Sequence, residues 1–429
     1  MRRWGPLALT VAVAALTAAC STPGVEGAAT PSPRPSVLRP VPWDGGPGYY
    51  ARFGEAARAG WAKPSFFPIG IWYASVHTAE EVAQDKAAGI NTYVELTDDS
   101  DVRLLRSKGM SALTSGPLPG AGAETVGWLI GDEADMWGGP GDGAWTGTQT
   151  FDGTACTDKD RPCGYTAMRT LAAGVPNDGR LRYANYGKGV MYWESDEQAA
   201  KFVNGFTDIV STDLYWYTNV YACDEARQFM NLPPAQCRLA ANYGAIIDRQ
   251  RALDARDGRL QPVYAFIELG YPGKKATGVI RPEQMKGAVM SSLIHGARGV
   301  IYFNHSFGGS CQSMNLLRDQ CGDTIRPAVT EINRQIAALA PVLNTQSYEY
   351  DFAPGVDAVL KRYKGSYYLF AMVARGARTG ARRFALPPAL AGAKKAEVLF
   401  EDRTVPIDAG GFGDTFEAEY AYHIYKITP

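Results

Sequence analysis

The chain has 429 residues, of which 46% are hydrophobic and 20% charged, and its formal net charge is -1. This is the composition of an ordinary globular protein. A charge near zero gives no electrostatic reason to expect nucleic acid or an anionic membrane surface as a partner. The length suits a β/α barrel of about 250 residues or more with a smaller domain attached.

The chain opens as a targeting segment. Arg2 and Arg3 make a basic start, and residues 7–19 form an apolar stretch of signal-peptide length, too short to span a bilayer comfortably. The stretch runs through Leu16, Thr17, Ala18 and Ala19 into Cys20. That run resembles a bacterial lipobox. The resemblance implies that residues 1–19 are removed and that Cys20 carries the lipid. The protein is then expected at the outer face of the cytoplasmic membrane as a lipoprotein, or secreted. Residues 20–45 are rich in Ser, Thr, Pro and Gly and read as a flexible spacer.

Residues 46–345 read as repeating strand–helix units. Residues 50–62 are a helical lead-in, and 66–75 the first strand. Thr78 with Glu81 three residues on forms a capping-box pattern for a helix that Gly89 stops. Residues 90–96 are the second strand, and 101–107 a short helix ended by Gly109. Residues 110–114 are the third strand. No clear helix follows it, because 116–124 is rich in Pro and Gly. The fourth strand, 126–132, is an apolar run that ends in acid: Val-Gly-Trp-Leu-Ile-Gly-Asp, then Glu133, Ala134 and Asp135. A long glycine-rich loop spans 137–163, and loops of that length are usually functional or mobile. Then come a helix at 165–173, the fifth strand at 181–186 and a helix at 195–206. The sixth strand is 209–217, followed by a long helix at 238–257. The seventh strand, 262–268, ends in Glu268. A helix with Pro near its start follows at 282–296. The eighth strand is 299–304, and a helix at 326–343 closes the series. Eight such units predict a closed parallel barrel of the TIM type. No glycine-rich phosphate loop favours an open doubly wound sheet.

From residue 346 to 429 the helical period disappears. Short alternating runs separated by turn residues predict a small C-terminal all-β sandwich.

Cysteine use agrees with export. Apart from Cys20, six cysteines fall into close pairs along the chain: Cys156 and Cys163, Cys223 and Cys237, Cys311 and Cys321. Local pairing is the simplest connectivity, each bond stapling one loop. No C-x-x-C occurs and the four histidines are scattered, so no metal site is expected, and no cofactor.

The ends of strands four and seven face each other across a barrel mouth, where barrel enzymes place their chemistry. Each carries a glutamate, Glu133 and Glu268. Hydrolysis of a glycosidic bond needs two carboxyl groups, about 5–5.5 Å apart if the configuration is retained and further apart if it is inverted. By simple alternation, Glu133 pointing in puts Gly131 and Leu129 in and turns Asp132 out. Glu268 pointing in does the same for Phe266 and Tyr264.

With these acids at these places, residues 66–343 resemble the clan A glycoside hydrolases, retaining (β/α)8-barrel enzymes. The resemblance implies that Glu133 is the acid/base and Glu268 the nucleophile. It departs at Asp132, where the clan usually has Asn. Asp cannot donate a hydrogen bond when ionised, and its charge would raise the proton affinity of Glu133. Asp132 and Asp135 are rival acids.

Supporting residues are expected at the same mouth: Trp72, Tyr73, Glu95, Asn185, Tyr215, Tyr217, Asn304 and His305. Tyr215 is expected to hold the Glu268 carboxylate, and Asp213 to orient a neighbour. Trp137, opening the long loop, is expected to stack on a sugar. Aromatic residues make up 11% of the chain. Core filling accounts for most of them, and a sugar cleft for some. The expected partner is therefore a carbohydrate, acted on by a monomer. Two other readings stand beside this one. One is a lipoprotein that binds glycans without catalysis. The other is a barrel hydrolase of a different bond, which the lack of a G-x-S-x-G elbow disfavours.

Overall fold

The computed structural model describes residues 38–139, 141–142 and 163–429. Cys20, Cys156 and most of the 137–163 loop lie outside the described residues, as does the segment 1–19. Ser36–Pro429 forms one compact unit.

Eight parallel strands close into a barrel: Ile69–Ala74, Thr92–Leu96, Ser111–Thr114, Thr125–Asp132, Leu181–Tyr186, Ile209–Thr212, Val263–Glu268 and Gly299–Phe303. The first pairs with the eighth, Trp72 opposite Phe303, which completes the ring. The expected TIM barrel is present. Its strands read as apolar runs because both faces are covered. Val94, Leu113, Leu129, Tyr183, Phe266 and Ile301 fill the interior. Tyr93, Trp128, Ala184, Ala265 and Tyr302 point outward, into the layer shared with the helices.

Local signals explain the helix boundaries. Thr78 caps helix Ala79–Ala87: its hydroxyl accepts from the Glu81 N–H at 3.2 Å, and the Glu81 carboxylate accepts from the Thr78 N–H at 2.9 Å. Gly109, at φ 67°, ends helix Val102–Lys108 in the left-handed conformation that glycine adopts cheaply. No helix joins the third and fourth strands. The expected long helix at 238–257 is shorter, Ala241–Asp254, and another helix, Ala222–Met230, precedes it. The disulfide Cys223–Cys237 spans the turn between these two helices, and Cys311–Cys321 closes the loop after the eighth strand.

The lead-in seals the barrel at its N-terminal end. The Tyr50 hydroxyl meets that of Tyr264 at 2.8 Å, and the Trp61 indole N–H donates to Ser111 Oγ at 3.0 Å. With that end closed, the mouth at the strands' C-terminal ends is left for a site.

The C-terminal region is all β. Strands Ser347–Glu349, Val356–Tyr363, Ser366–Val373, Tyr422–Ile427, Lys395–Val398 and Arg403–Pro406 form one antiparallel sheet, and Gly380–Ala385 pairs with Gly411–Phe416 in a second. Leu360, Leu369, Phe384, Phe412 and Tyr425 pack between them. The other face of the large sheet offers Val359, Phe370, Met372 and Ile424 to the core that includes the barrel helices. The expected spacer is corrected at its end. Residues 38–45 belong to the fold, with Arg39–Pro40 adding an edge strand to the large sheet. Asp44 pairs with the buried Arg298 at 2.8 Å.

Candidate active site

Strand four does not keep simple alternation. Its register against strand five slips between Leu129 and Gly131. Leu129 faces the barrel interior, but a side chain at Gly131 would meet Met168 Sδ at 2.9 Å, on the helix side. The bulge shifts the phase by one residue, as bulges do. Asp132 is therefore turned to the mouth, where its Oδ1 accepts from Asn185 Nδ2 at 3.0 Å. Glu133 follows at φ 51°, outside the β region, and is also brought to this side. Its Oε1 lies 3.4 Å from the place of a Cβ on Gly187, beyond strand five. The expectation that Asp132 faces away while Glu133 faces in is thus overturned by the bulge.

A third carboxyl joins them. Asp213, just beyond strand six, lies within hydrogen-bonding reach of Glu133. Asp213 Oδ2 accepts from the Tyr215 hydroxyl at 2.8 Å, while its buried Oδ1 meets no N–H or O–H donor. Neighbouring buried carboxyl groups raise one another's proton affinity, because both cannot ionise cheaply side by side. Burial first, and then the charges of Glu133 and Asp132, hold Asp213 well above the ordinary carboxylate range. Glu133 is pushed up to about 7 by burial and by the charges of Asp132 and Asp135; the bond to Asp213 and the charge of Lys188 oppose that rise. Glu133 thus titrates near neutrality. Asp132 is raised by burial and lowered by its bond to Asn185. It is nevertheless exposed to solvent.

A chain of side chains inside the barrel supports the cluster. Tyr183 and Ser211 hydroxyls meet at 2.6 Å, and Ser211 Oγ donates to Asn185 Oδ1 at 2.6 Å, which orients the Asn185 amide toward Asp132. The Trp137 indole N–H donates to the Asp132 carbonyl at 2.6 Å, and the ring is 45% exposed. Asp135 is a structural anchor and not a rival acid. It is fully buried and accepts from the Gly187 and Val190 N–H groups.

Glu268 ends strand seven as expected, in phase with the inward Tyr264 and Phe266. Its carboxylate, however, does not open onto the mouth. It is 0% exposed and accepts from the Tyr217 N–H at 2.9 Å and from the Thr218 and Tyr243 hydroxyls. Burial raises its proton affinity, and these three donors, with Arg238, lower it. Tyr215 therefore holds Asp213 and not Glu268. Tyr217 is also corrected as a sugar contact: it is buried and its hydroxyl donates to Glu419 of the C-terminal region at 2.7 Å. Strand six stops at Thr212, so 213–221 is a loop folded over Glu268.

Two further corrections concern strands one and eight. Trp72 is buried in the barrel interior against Phe266, ring centroids 5.3 Å apart. Asn304 is fully buried, and its Oδ1 accepts from the Leu317 N–H at 2.9 Å, which fixes the loop after strand eight. His305 is buried against Phe303 and Phe307, with its Nδ1 2.8 Å from the Met314 carbonyl oxygen. Burial lowers it to about 4, so the ring is neutral with Nε2 as a bare acceptor.

Tyr73 and Glu95 stay at the mouth. They occupy matching places on strands one and two, between the pairs Trp72 with Val94 and Ala74 with Leu96. Tyr73 has φ 49° and Glu95 φ 59°. With Glu133, three non-glycine residues at strand ends thus adopt a backbone conformation that costs about 1–3 kcal/mol each and that clusters at functional sites. Glu95 Oε1 accepts from Ser115 Oγ at 3.0 Å, while its buried Oε2 has no partner. Burial pushes Glu95 up to about 7, against the pull of Ser115.

No protein-family model matches the sequence, and no curated protein matches it either. Solved structures match by fold. One described as a glycoside hydrolase superposes with TM-score 0.51 at 11% identity, covering 85% of this chain and 92% of that chain. Amy13B of Eubacterium rectale gives TM-score 0.46 at 10% identity, covering 84% and 96%. A noncanonic maltogenic alpha-amylase, AmyB of Thermotoga neapolitana, gives 0.45 at 10%, covering 86% and 99%. The first of these shares the barrel architecture with this chain.

Proposed function

We propose that this chain is a glycoside hydrolase with Glu133 as its proton donor. One observation carries the reading: a carboxyl at the mouth of barrel strand four, held near neutrality inside a cluster of acids. A general acid works best when its proton affinity lies near the working pH. The second carboxylate of the proposal is Glu268, attacking the anomeric carbon so that configuration is retained. Its three hydrogen-bond donors favour the charged form that attack requires. Its burial means that the 213–221 loop must lift from it as the sugar enters. Glu133 then returns as the base that activates water.

One observation favours a second route. Asp132 is exposed at the mouth, where Glu268 is not. As a base for water, it would give inversion. The anomer formed first, followed by proton NMR on an aryl glycoside, separates the two. Retention, with activity lost in Glu268→Gln, supports the nucleophile. Inversion, or full activity in Glu268→Gln, removes it and leaves Asp132.

The proposal includes export and a lipid anchor at Cys20. The disulfides Cys223–Cys237 and Cys311–Cys321 are of the kind that persists in an oxidising compartment. Among the described residues no helix is long and apolar enough to cross a membrane. Labelled fatty acid should enter the wild type and not Cys20→Ser; label in both, or in neither, would refute the anchor.

A further inference from the structure

Large apolar side chains are exposed at only a few described positions, and those positions are not scattered. Of seven, five lie at or beyond the C-terminal ends of barrel strands: Tyr73 near the end of strand one, Trp137 in the short helix after strand four, and Tyr221, Val279 and Met314 on loops. Because the strands are parallel, all five are at one end, the end that carries Asp132, Glu133 and Asp213. Three are aromatic. Tyr73 is 40% exposed, Trp137 45% and Tyr221 50%. They belong to the ends of strands one, four and six, so they are spread around the rim.

Core packing does not account for these rings. Trp61, Trp72, Trp128, Trp193 and Trp216 are all buried, whereas Trp137 is bonded through its indole N–H to the Asp132 carbonyl and left open. Tyr73 adopts a backbone conformation that tyrosine rarely takes, and presents its ring to solvent. Beside it in register stands Glu95, with an oxygen that no donor meets. An open ring at a strand end suits a pyranose, whose C–H face it covers. Tyr221 is held at the other side, two residues before the Cys223–Cys237 staple, with its N–H bonded to Asn219 Oδ1 at 2.8 Å.

We infer that the mouth binds an extended carbohydrate chain, with Tyr73, Trp137 and Tyr221 as separate stacking platforms, and that cleavage is internal to the chain. This rests on the glycosidase reading for its cleavage step but not for its binding step. A site for a single terminal sugar needs a closed pocket and gains nothing from platforms spread over three strand ends.

The test separates the two steps. Full-length protein is run in native gels containing soluble starch, arabinoxylan, barley β-glucan or glycol chitosan, and the products of each are sized by chromatography. The wild type should be retarded by at least one polymer. Trp137→Ala and Tyr221→Ala should each weaken that retardation about three- to tenfold, in line with the worth of an aromatic contact, and Tyr221→Phe should restore it. The first products should be oligosaccharides, with viscosity falling ahead of reducing-end release. The loss in kcat/KM in Tyr221→Ala should grow with substrate length; a merely structural defect would be independent of length. No retardation by any polymer, or undiminished retardation in both alanine variants, overturns the inference. Monosaccharide as the sole first product overturns internal cleavage while leaving the glycosidase reading standing. Ring-dependent retardation with no product from any polymer supports the platforms and defeats the glycosidase reading.

Discussion

Replacing Asp132 with Asn tests how the acid at strand four is tuned. Glu133 stands at about 7 against an ordinary 4.5, with burial as the first cause and the Asp132 charge as the second. A rise of that size corresponds to roughly 3 kcal/mol against the charged form, at about 1.4 kcal/mol per pH unit. Like charges on neighbouring residues at a solvent-open mouth interact by roughly 1 kcal/mol. The amide oxygen introduced by Asp132→Asn can still accept from Asn185, so the local geometry is kept and the charge alone is removed. The alkaline limb of kcat/KM, where Glu133 loses its proton, should therefore fall by about one pH unit, to about 6. It should not reach 4.5, because burial is untouched. The assay is the pH profile of aryl glycoside hydrolysis in wild type and Asp132→Asn. A limb that stays in place or moves to higher pH would refute the reasoning. An inactive but folded Asp132→Asn, with inversion in the wild type, would assign Asp132 to the chemistry itself.

Other outcomes follow from the same structure. The double variant Cys223→Ser/Cys237→Ser opens a 14-residue span beside the 213–221 loop and should lose about 3 kcal/mol in denaturant unfolding; unchanged stability would show that the loop is held by packing alone. Glu419→Ala removes the acceptor of the Tyr217 hydroxyl and of the Ala240 N–H. It should destabilise the protein by about 1–3 kcal/mol and lower activity through the loop over Glu268; full activity would uncouple the C-terminal region from the site. His295 is raised to about 9 because its bonds to Asp248 and Asp357 outweigh burial. Its protonated form stabilises the fold, so that contribution is complete below about 6.5 and is lost as pH rises through about 9, by at most roughly 3 kcal/mol. Melting curves across that window should slope downward in the wild type and flatten in His295→Gln; parallel curves would contradict the assignment.

The barrel was legible in the sequence because each of its strands is an apolar run bounded by a turn signal. The caps at Thr78 and Gly109 follow from side-chain chemistry one turn away. The site was legible only as far as regular alternation holds. The register slip before Gly131 and the positive φ of Glu133 break that regularity, so Asp132 came to the mouth against expectation. No local pattern announces either feature, although a glycine inside an apolar strand is a known sign of a bulge. The fate of Glu268 was hidden for another reason. Its partners Tyr243 and Thr218 are 25 and 50 residues distant, one on a helix and one on a loop, and only the fold brings them together. Asp213 appeared as a residue that orients a neighbour. The charge of Glu133 acts on it across strands four and six, which chain order does not show.

The proposed role of Glu133 is to give a proton to a glycosidic oxygen. The direct measurement compares wild type with Glu133→Gln on aryl glycosides of graded leaving-group acidity. The variant should fold and lose about a hundredfold or more in rate on poor leaving groups, with a smaller loss on good ones. Equal rates in the two proteins, or carbohydrate binding by the wild type without turnover of any glycoside, would contradict it.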